Sequence, residues 1–138
     1  MAYDPNNIFA KMLREEIPCI KIYEDEHTLA FMDIMPQTDG HALVIPKEQA
    51  VTLMDLSDEA AAHWIQSTKK VAAAIKAGLN ASGVVLFQLN GEGAGQTVPH
   101  VHCHVIPGSI ADLRRPHATT AADNEHLKAL AEKIKAAF

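Results

Sequence analysis

The run His100-Val101-His102-Cys103-His104-Val105-Ile106 constrains the fold more than any other stretch of this chain. Side chains alternate between faces along a strand. A strand here puts Val101, Cys103 and Val105 on one face and three imidazoles on the other. The apolar set belongs in a core, and the histidines then line a surface or cleft. This strand is predicted from Val98 to Ile106, with Pro107-Gly108 as its stop. Pro99 lacks a backbone donor, which predicts an edge or irregular entry.

Such a strand needs partners, and the sequence supplies them. Ile20 to Glu24 alternates with period two. Asp25-Glu26 turns the chain, and Thr28 to Met32 completes a hairpin. His41 to Pro46 is nearly continuously apolar, which predicts a central strand, and Val84 to Leu89 is the next. Helical spacing marks three further elements. A short helix runs from Asn6 to Glu15, capped by Asn6 or Asn7 and ended by Pro18, with Ile8, Phe9, Met12 and Leu13 on its apolar face. A long helix runs from about Asp58 to Leu79, capped by Asp55 or Ser57. It carries Ala61, Trp64, Ile65, Thr68, Val71, Ala72 and Ile75 at helical spacing, and Gly78 or Asn80 stops it. A C-terminal helix starts at Asp123 or Asn124, with Leu127, Leu130 and Ile134 on one face. The fold class is α+β, with a mainly antiparallel sheet.

The 138 residues suit one domain that needs no metal or disulfide staple to hold a core. The net charge of -5 argues against nucleic acid, because phosphate neutralisation needs clustered bases. Lys69-Lys70 and Arg114-Arg115 are too small a footprint. A small anionic ligand remains compatible. Cys19 and Cys103 form neither a disulfide framework nor a Cys-x-x-Cys site and suggest a reducing compartment. No basic-then-apolar leader opens the chain, and no apolar run approaches the roughly 18 residues of a membrane span. The expected location is cytoplasmic, with no membrane partner.

Three histidines in strict alternation on an apolar strand are hard to explain structurally, since strand faces usually hold Thr, Val or Tyr. A metal site is one alternative. However, the outer Cα atoms of the triplet lie roughly 13 Å apart in a strand, so further ligands would have to come from elsewhere. Imidazole is also a nucleophile with a pKa near neutrality. The loop Asn90 to Thr97 holds three glycines, which let backbone N–H groups converge on an anion. Beside three histidines it reads as a phosphate cradle, with Gln96 and Thr97 at its rim. Asp33 alone reads equally well as a turn-forming carboxylate, and His41 as a strand-end histidine. His27, His63, His117 and His126 match no pattern and read as solvated.

The histidine run resembles the His-φ-His-φ-His-φ-φ signature (φ apolar) of the histidine triad, or HIT, family of nucleotide hydrolases and transferases. Ala30 to Ile34 followed by Pro36, Gly40 to Pro46, and Ala94 to Val98 are similar to family segments in family order. The resemblance covers about residues 7–108 and leaves 109–138 as an extension of a single domain spanning 1–138.

The resemblance implies that His102 is the nucleophile, forming a nucleotidyl-histidine that water hydrolyses. It implies that His104 contacts the phosphate, that His100 holds the nucleophilic ring mainly through its backbone carbonyl, and that His41 completes the polar network. Asp33 would hydrogen-bond the ribose hydroxyls and Ile34 would pack on the base, with Phe31 and Asn90 in the nucleotide-binding set. Gly95, Gln96 and Thr97 would bind the phosphate.

The implied partner is a purine nucleotide, AMP or an adenosine conjugate. The implied assembly is a homodimer with one continuous sheet. The small phosphoramidase-like branch is the nearest in pattern, with diadenosine polyphosphate hydrolysis and nucleotide-dependent regulation as the alternatives. Arg114-Arg115 is the candidate for receiving a second nucleotide. Zinc-containing relatives carry cysteines and a histidine where this chain has Asn7, Ala10 and Gln49, so no structural zinc and no cofactor is expected. Many relatives have a second Asn at Leu89, a position that Asn90 would serve here.

Overall fold

The computed structural model describes residues 2–113 and 121–138. Arg114, Arg115 and His117 lie outside the described residues. Helix α1 is Ile8–Leu13, strand β1 Lys21–Glu24 and strand β2 Thr28–Met32. Strand β3 is Ala42–Pro46, helix α2 Asp58–Gly78 and strand β4 Val84–Phe87. Strand β5 is Cys103–Pro107 and helix α3 Asn124–Lys135. The five strands form an antiparallel sheet in the order β1-β2-β3-β5-β4. The continuous apolar run of β3 accordingly sits at the centre. A strand with neighbours on both sides and layers on both faces has no polar face to present.

Each turn has a local cause. Asp25 holds the β1–β2 hairpin: Oδ1 accepts from the N–H groups of His27 and Thr28, and Oδ2 from the Tyr23 hydroxyl. Burial alone would raise its pKa, but these donors outweigh burial and hold the carboxyl well below its usual range. Asn7 caps α1 by accepting from the Ala10 N–H, Ser57 caps α2 through Ala60, and Asp123 caps α3 through His126. Helix α1 is shorter than the spacing predicts. It ends at Leu13, and Glu15 takes a left-handed φ of 62°, so the chain turns before Pro18 is reached.

The sheet carries a layer on each face. On one face α2 and α3 pack over Ile22, Ala30, Met32, Val44, Val101, Cys103 and Val105. Trp64 of α2 donates its indole N–H to the Val44 carbonyl at 2.9 Å. On the other face Phe9 and Met12 of α1 meet Leu29, Phe31, Leu43 and Ile45. Ile65, placed on the buried stripe by its spacing, is instead 59% exposed. Its position lies at the margin of the stripe that Trp64, Thr68, Val71 and Ile75 bury.

Gly78 is where α2 meets α3. A Cβ there would stand 2.5 Å from the Lys133 carbonyl oxygen and 3.0 Å from the Ile134 Cα. Both are backbone atoms and cannot swing aside. Gly to Ala in an open helix gains about 1 kcal/mol, whereas forced overpacking costs typically about 1–3 kcal/mol. Backbone contact places this site at the upper end of that range. Gly78→Ala is therefore expected to lower stability by about 2 kcal/mol, and the thermal midpoint by several degrees. A midpoint equal to or above wild type would mean that the helices can separate at no cost.

Candidate functional site

The histidine run is the first correction to the sequence reading. Regular pairing begins only at Cys103, not at Val98. Pro99 has no N–H to give a ladder, and Val101 donates instead to the Ala50 carbonyl at 2.9 Å. The faces nevertheless divide as alternation requires, with Val101, Cys103 and Val105 packed in the helical layer. Of the two settings expected for the imidazoles, surface or cleft, His102 and His104 take the cleft. His100, His102 and His104 are all buried, His100 and His102 against Phe9 of α1 and His104 against Phe87 of β4. The Phe9 ring meets His102 edge-on at 5.0 Å between centroids.

Hydrogen bonds fix the tautomers. His100 Nε2 lies 2.9 Å from the Pro46 carbonyl oxygen, an acceptor, so Nε2 carries the proton and donates. His100 Nδ1 is then an acceptor and accepts a hydrogen bond from the Tyr3 hydroxyl at 2.6 Å. Burial raises the Tyr3 phenol pKa, so it keeps that proton. Burial pushes the His100 pKa down to about 4, and the ring is neutral at pH 7. His102 Nδ1 lies 2.6 Å from the His100 carbonyl oxygen and must donate to it. The lone pair of a neutral His102 is therefore on Nε2. His41 Nδ1 accepts from the Gln37 N–H, so its Nε2 donates, 2.9 Å from His104 Nδ1. The His104 ring stacks on Phe87 at 4.1 Å.

A cleft of about 160 Å³ opens beside these rings. His102, His104, Asp33, Ile34, Phe31 and Thr97 all border it. His41 lies behind His104. Asp33 forms a turn and also borders the cleft. Its Oδ1 accepts from the Met35 N–H and forms the turn, while Oδ2 sits 3.4 Å from His41 Nε2. The floor and walls are apolar, from Phe9, Met12, Cys19, Met35, Leu43 and Val98. These residues carry no sequence signal of their own. They meet only because α1 folds over the β2–β3 face.

The glycine loop is partly braced from within. Gly91 and Gly95 do take φ values of 93° and 102°, which glycine adopts readily. Four of the loop N–H groups bond within the loop. Those of Ala94 and Gln96 bond the Gly91 carbonyl, that of Gly95 bonds Glu92, and that of Gly91 bonds Gln96 Oε1. The Gln96 amide donates to the Val51 and Val98 carbonyls. Asn90 Oδ1 accepts from the Leu53 N–H and the Gln88 amide. Asn90, Gly95 and Gln96 thus brace the loop away from the cleft lining, and of the predicted loop residues only Thr97 borders it.

Asp33, His41 and His104 are the described residues whose ligand atoms cluster tightly enough to hold a metal ion, all within 4.8 Å of one another. An ion there would have to displace the proton shared by His41 and His104. The zinc positions of relatives do not fit that metal here: Asn7 is spent as a helix cap, Ala10 has no donor atom and Gln49 is exposed. His27 and His63 stack on each other at 3.6 Å, and His126 Nε2 lies 3.1 Å from Asp39 Oδ2.

The HIT domain family model matches residues 14–110. The chain belongs to the HIT family. Two curated HIT-family relatives have this order of similarity: Protein hit of Bacillus subtilis is 44% identical over 102 residues, covering 74% of this chain and 70% of that one. Adenosine 5'-monophosphoramidase hnt1 of Schizosaccharomyces pombe is 41% identical over 129 residues, covering 92% of this chain and 94% of that one. Among solved structures, the HIT-like protein of Bartonella henselae superposes with a TM-score of 0.92 at 42% identity, over 100% of both chains. That match extends the similarity past the HIT core into the C-terminal helix. No helix among the described residues is long and apolar enough to cross a membrane.

Proposed function

We propose that this HIT protein hydrolyses the bond between an amine and the α-phosphorus of a purine nucleotide, with His102 as nucleophile. One observation carries the reading: His102 Nδ1 is held by the His100 carbonyl at 2.6 Å while the ring borders the cleft. The unprotonated nitrogen is then the one available to attack phosphorus. Attack by Nε2 forms the N–P bond and breaks the P–N bond to the leaving amine, which takes a proton from solvent that the water of the second step returns. Water then displaces the histidine, releasing AMP and restoring the imidazole. Splitting one displacement into two lowers each barrier.

The other residues divide the work. His104 and Thr97 border the phosphate position, and hydrogen-bond donors placed there stabilise the charge that develops on the phosphoryl oxygens. His41 sets the orientation of His104. Asp33 takes the ribose hydroxyls, and Ile34 and Phe31 pack on the base, consistent with the apolar walls. The name of the Schizosaccharomyces pombe relative, an adenosine 5'-monophosphoramidase, favours this branch. Strand β4 is an edge of the sheet and leaves Leu86 46% exposed, which supports a homodimer joined through that edge. α3 shares the core of the HIT sheet, which supports a single domain.

The deciding assay is AMP release with chelator present, from an adenosine phosphoramidate and from a diadenosine polyphosphate. Release from the phosphoramidate in preference is expected. Preference for the polyphosphate would move the protein to the other hydrolase branch. Binding of AMP without release from either substrate would leave a regulatory nucleotide-binding role. Asp33→Ala is expected to weaken AMP binding by about 1–3 kcal/mol, the loss of a hydrogen bond to a charged group. Unchanged affinity by calorimetry would take Asp33 out of the ribose site.

A further inference from the structure

We infer that Tyr3, near the chain's beginning, is a positioning residue for the His102 nucleophile, acting through His100. The inference rests on the histidine-nucleophile reading. Tyr3 is not among the residues lining the cleft. It reaches across 97 positions of sequence to place its hydroxyl 2.6 Å from His100 Nδ1, with its ring edge-on to the imidazole at 5.5 Å.

The bond matters because of what else His100 does. The His100 ring is pinned at both nitrogens, by Tyr3 on one side and the Pro46 carbonyl on the other. An imidazole held at only one nitrogen can rotate or exchange tautomers. Held at both, it fixes the His100 backbone, and the carbonyl of that same residue accepts the His102 Nδ1 proton at 2.6 Å. The His100 segment lies outside the regular strand, which starts at Cys103. Ladder hydrogen bonds therefore do not hold it, and the Val101 N–H bond to the Ala50 carbonyl shares that task with the two side-chain bonds of His100. The chain of contacts runs Tyr3 Oη, His100 ring, His100 carbonyl, His102 Nδ1. Without the phenol proton, His100 Nδ1 becomes a buried acceptor with its donor removed, which favours a shifted ring.

Tyr3→Phe removes one oxygen and keeps the ring packing. Three readouts are taken on wild type and variant: kcat for phosphoramidate hydrolysis, the AMP dissociation constant, and the imidazole ¹⁵N and ¹H resonances. In wild type, His100 should show a protonated Nε2 with Nδ1 as acceptor. In Tyr3→Phe, kcat should fall about tenfold or more, as expected when a reacting group is misplaced. AMP affinity should stay within twofold, and the His102 Nδ1–H resonance should shift. A variant that melts earlier but keeps kcat and that resonance would overturn the inference, leaving Tyr3 a purely structural residue. A protonated Nδ1 on His100 in wild type would overturn it without any variant. Should wild type show no His102-dependent turnover, the nucleophile reading fails separately. The His102 resonance in Tyr3→Phe then still decides whether Tyr3 sets that ring: a shift upholds the positioning role and no shift ends it.

Discussion

His102→Ala is expected to lose phosphoramidate turnover by about 10⁴-fold or more while still binding AMP. The magnitude follows from removing a nucleophile outright, which in covalent catalysis abolishes the pathway and leaves only the contribution of binding and charge stabilisation. Retained binding follows from geometry. The apolar walls, Asp33 and Thr97 lie on other elements and keep their positions. The ring of His102 packs edge-on to Phe9, so the variant also opens a void, and a modest stability loss accompanies the kinetic one. Rapid-quench measurement separates the two. Wild type should accumulate acid-labile nucleotidyl-protein, and the variant none. Turnover near wild type in His102→Ala, with metal chelated, would mean that another group attacks phosphorus.

The second large effect is on stability in mild acid. Burial drives the His100 pKa down to about 4, against 6.5 for an exposed histidine. Between those limits the unfolded chain binds a proton that the folded protein refuses. Stability therefore falls as the pH drops from about 6.5 towards 4, and the change is complete below the folded value. The total is about 3 kcal/mol, of which about 2 is lost by pH 5. Carboxylates add a separate loss at lower pH. The Asp25 carboxyl, held low by its donors, contributes stability above its unfolded pKa that disappears as acid protonates it in the folded state. Urea titrations at pH 7 and pH 5 measure the first step before the second begins. Imidazole NMR assigns it: His100 should stay neutral in the folded protein at pH 5. A His100 that protonates near pH 6.5 without unfolding would remove the buried histidine as the cause.

Much of this architecture is legible in the sequence because it rests on local, periodic chemistry. The alternation of His100 to Ile106 correctly assigns which side chains enter the helical layer, whichever residue regular pairing starts from. The continuous apolar run of β3 reports its central place, and Asn7, Ser57 and Asp123 each stand where a helix needs a cap. Residues with a strong chemical identity, such as His102, His104 and Asp33, are likewise visible. They come together at one cleft because strand periodicity and the order of the sheet leave little freedom.

Other features depend on contacts between distant segments and have no local signature. Nothing in the residues around Tyr3 says that its hydroxyl ends against His100, and nothing in Cys19, Met35 or Val98 says that they share a wall. The glycine loop shows another limit of local signals. Its composition suits an anion cradle, but only three-dimensional closure decides which backbone donors its own short turn and the Gln96 side chain claim, here those of Gly91, Ala94, Gly95 and Gln96. The same holds for the histidines' burial. Alternation separates the two faces of the sheet, but whether a face meets water or a helix depends on where α1 is carried by the chain turn after Leu13. The sequence determined the sheet, its helices and the alternation that places the three histidines. Tertiary packing determined which nitrogen of His102 holds the lone pair, because that proton is placed by a carbonyl and two ring bonds drawn from the Tyr3, Pro46 and His100 segments.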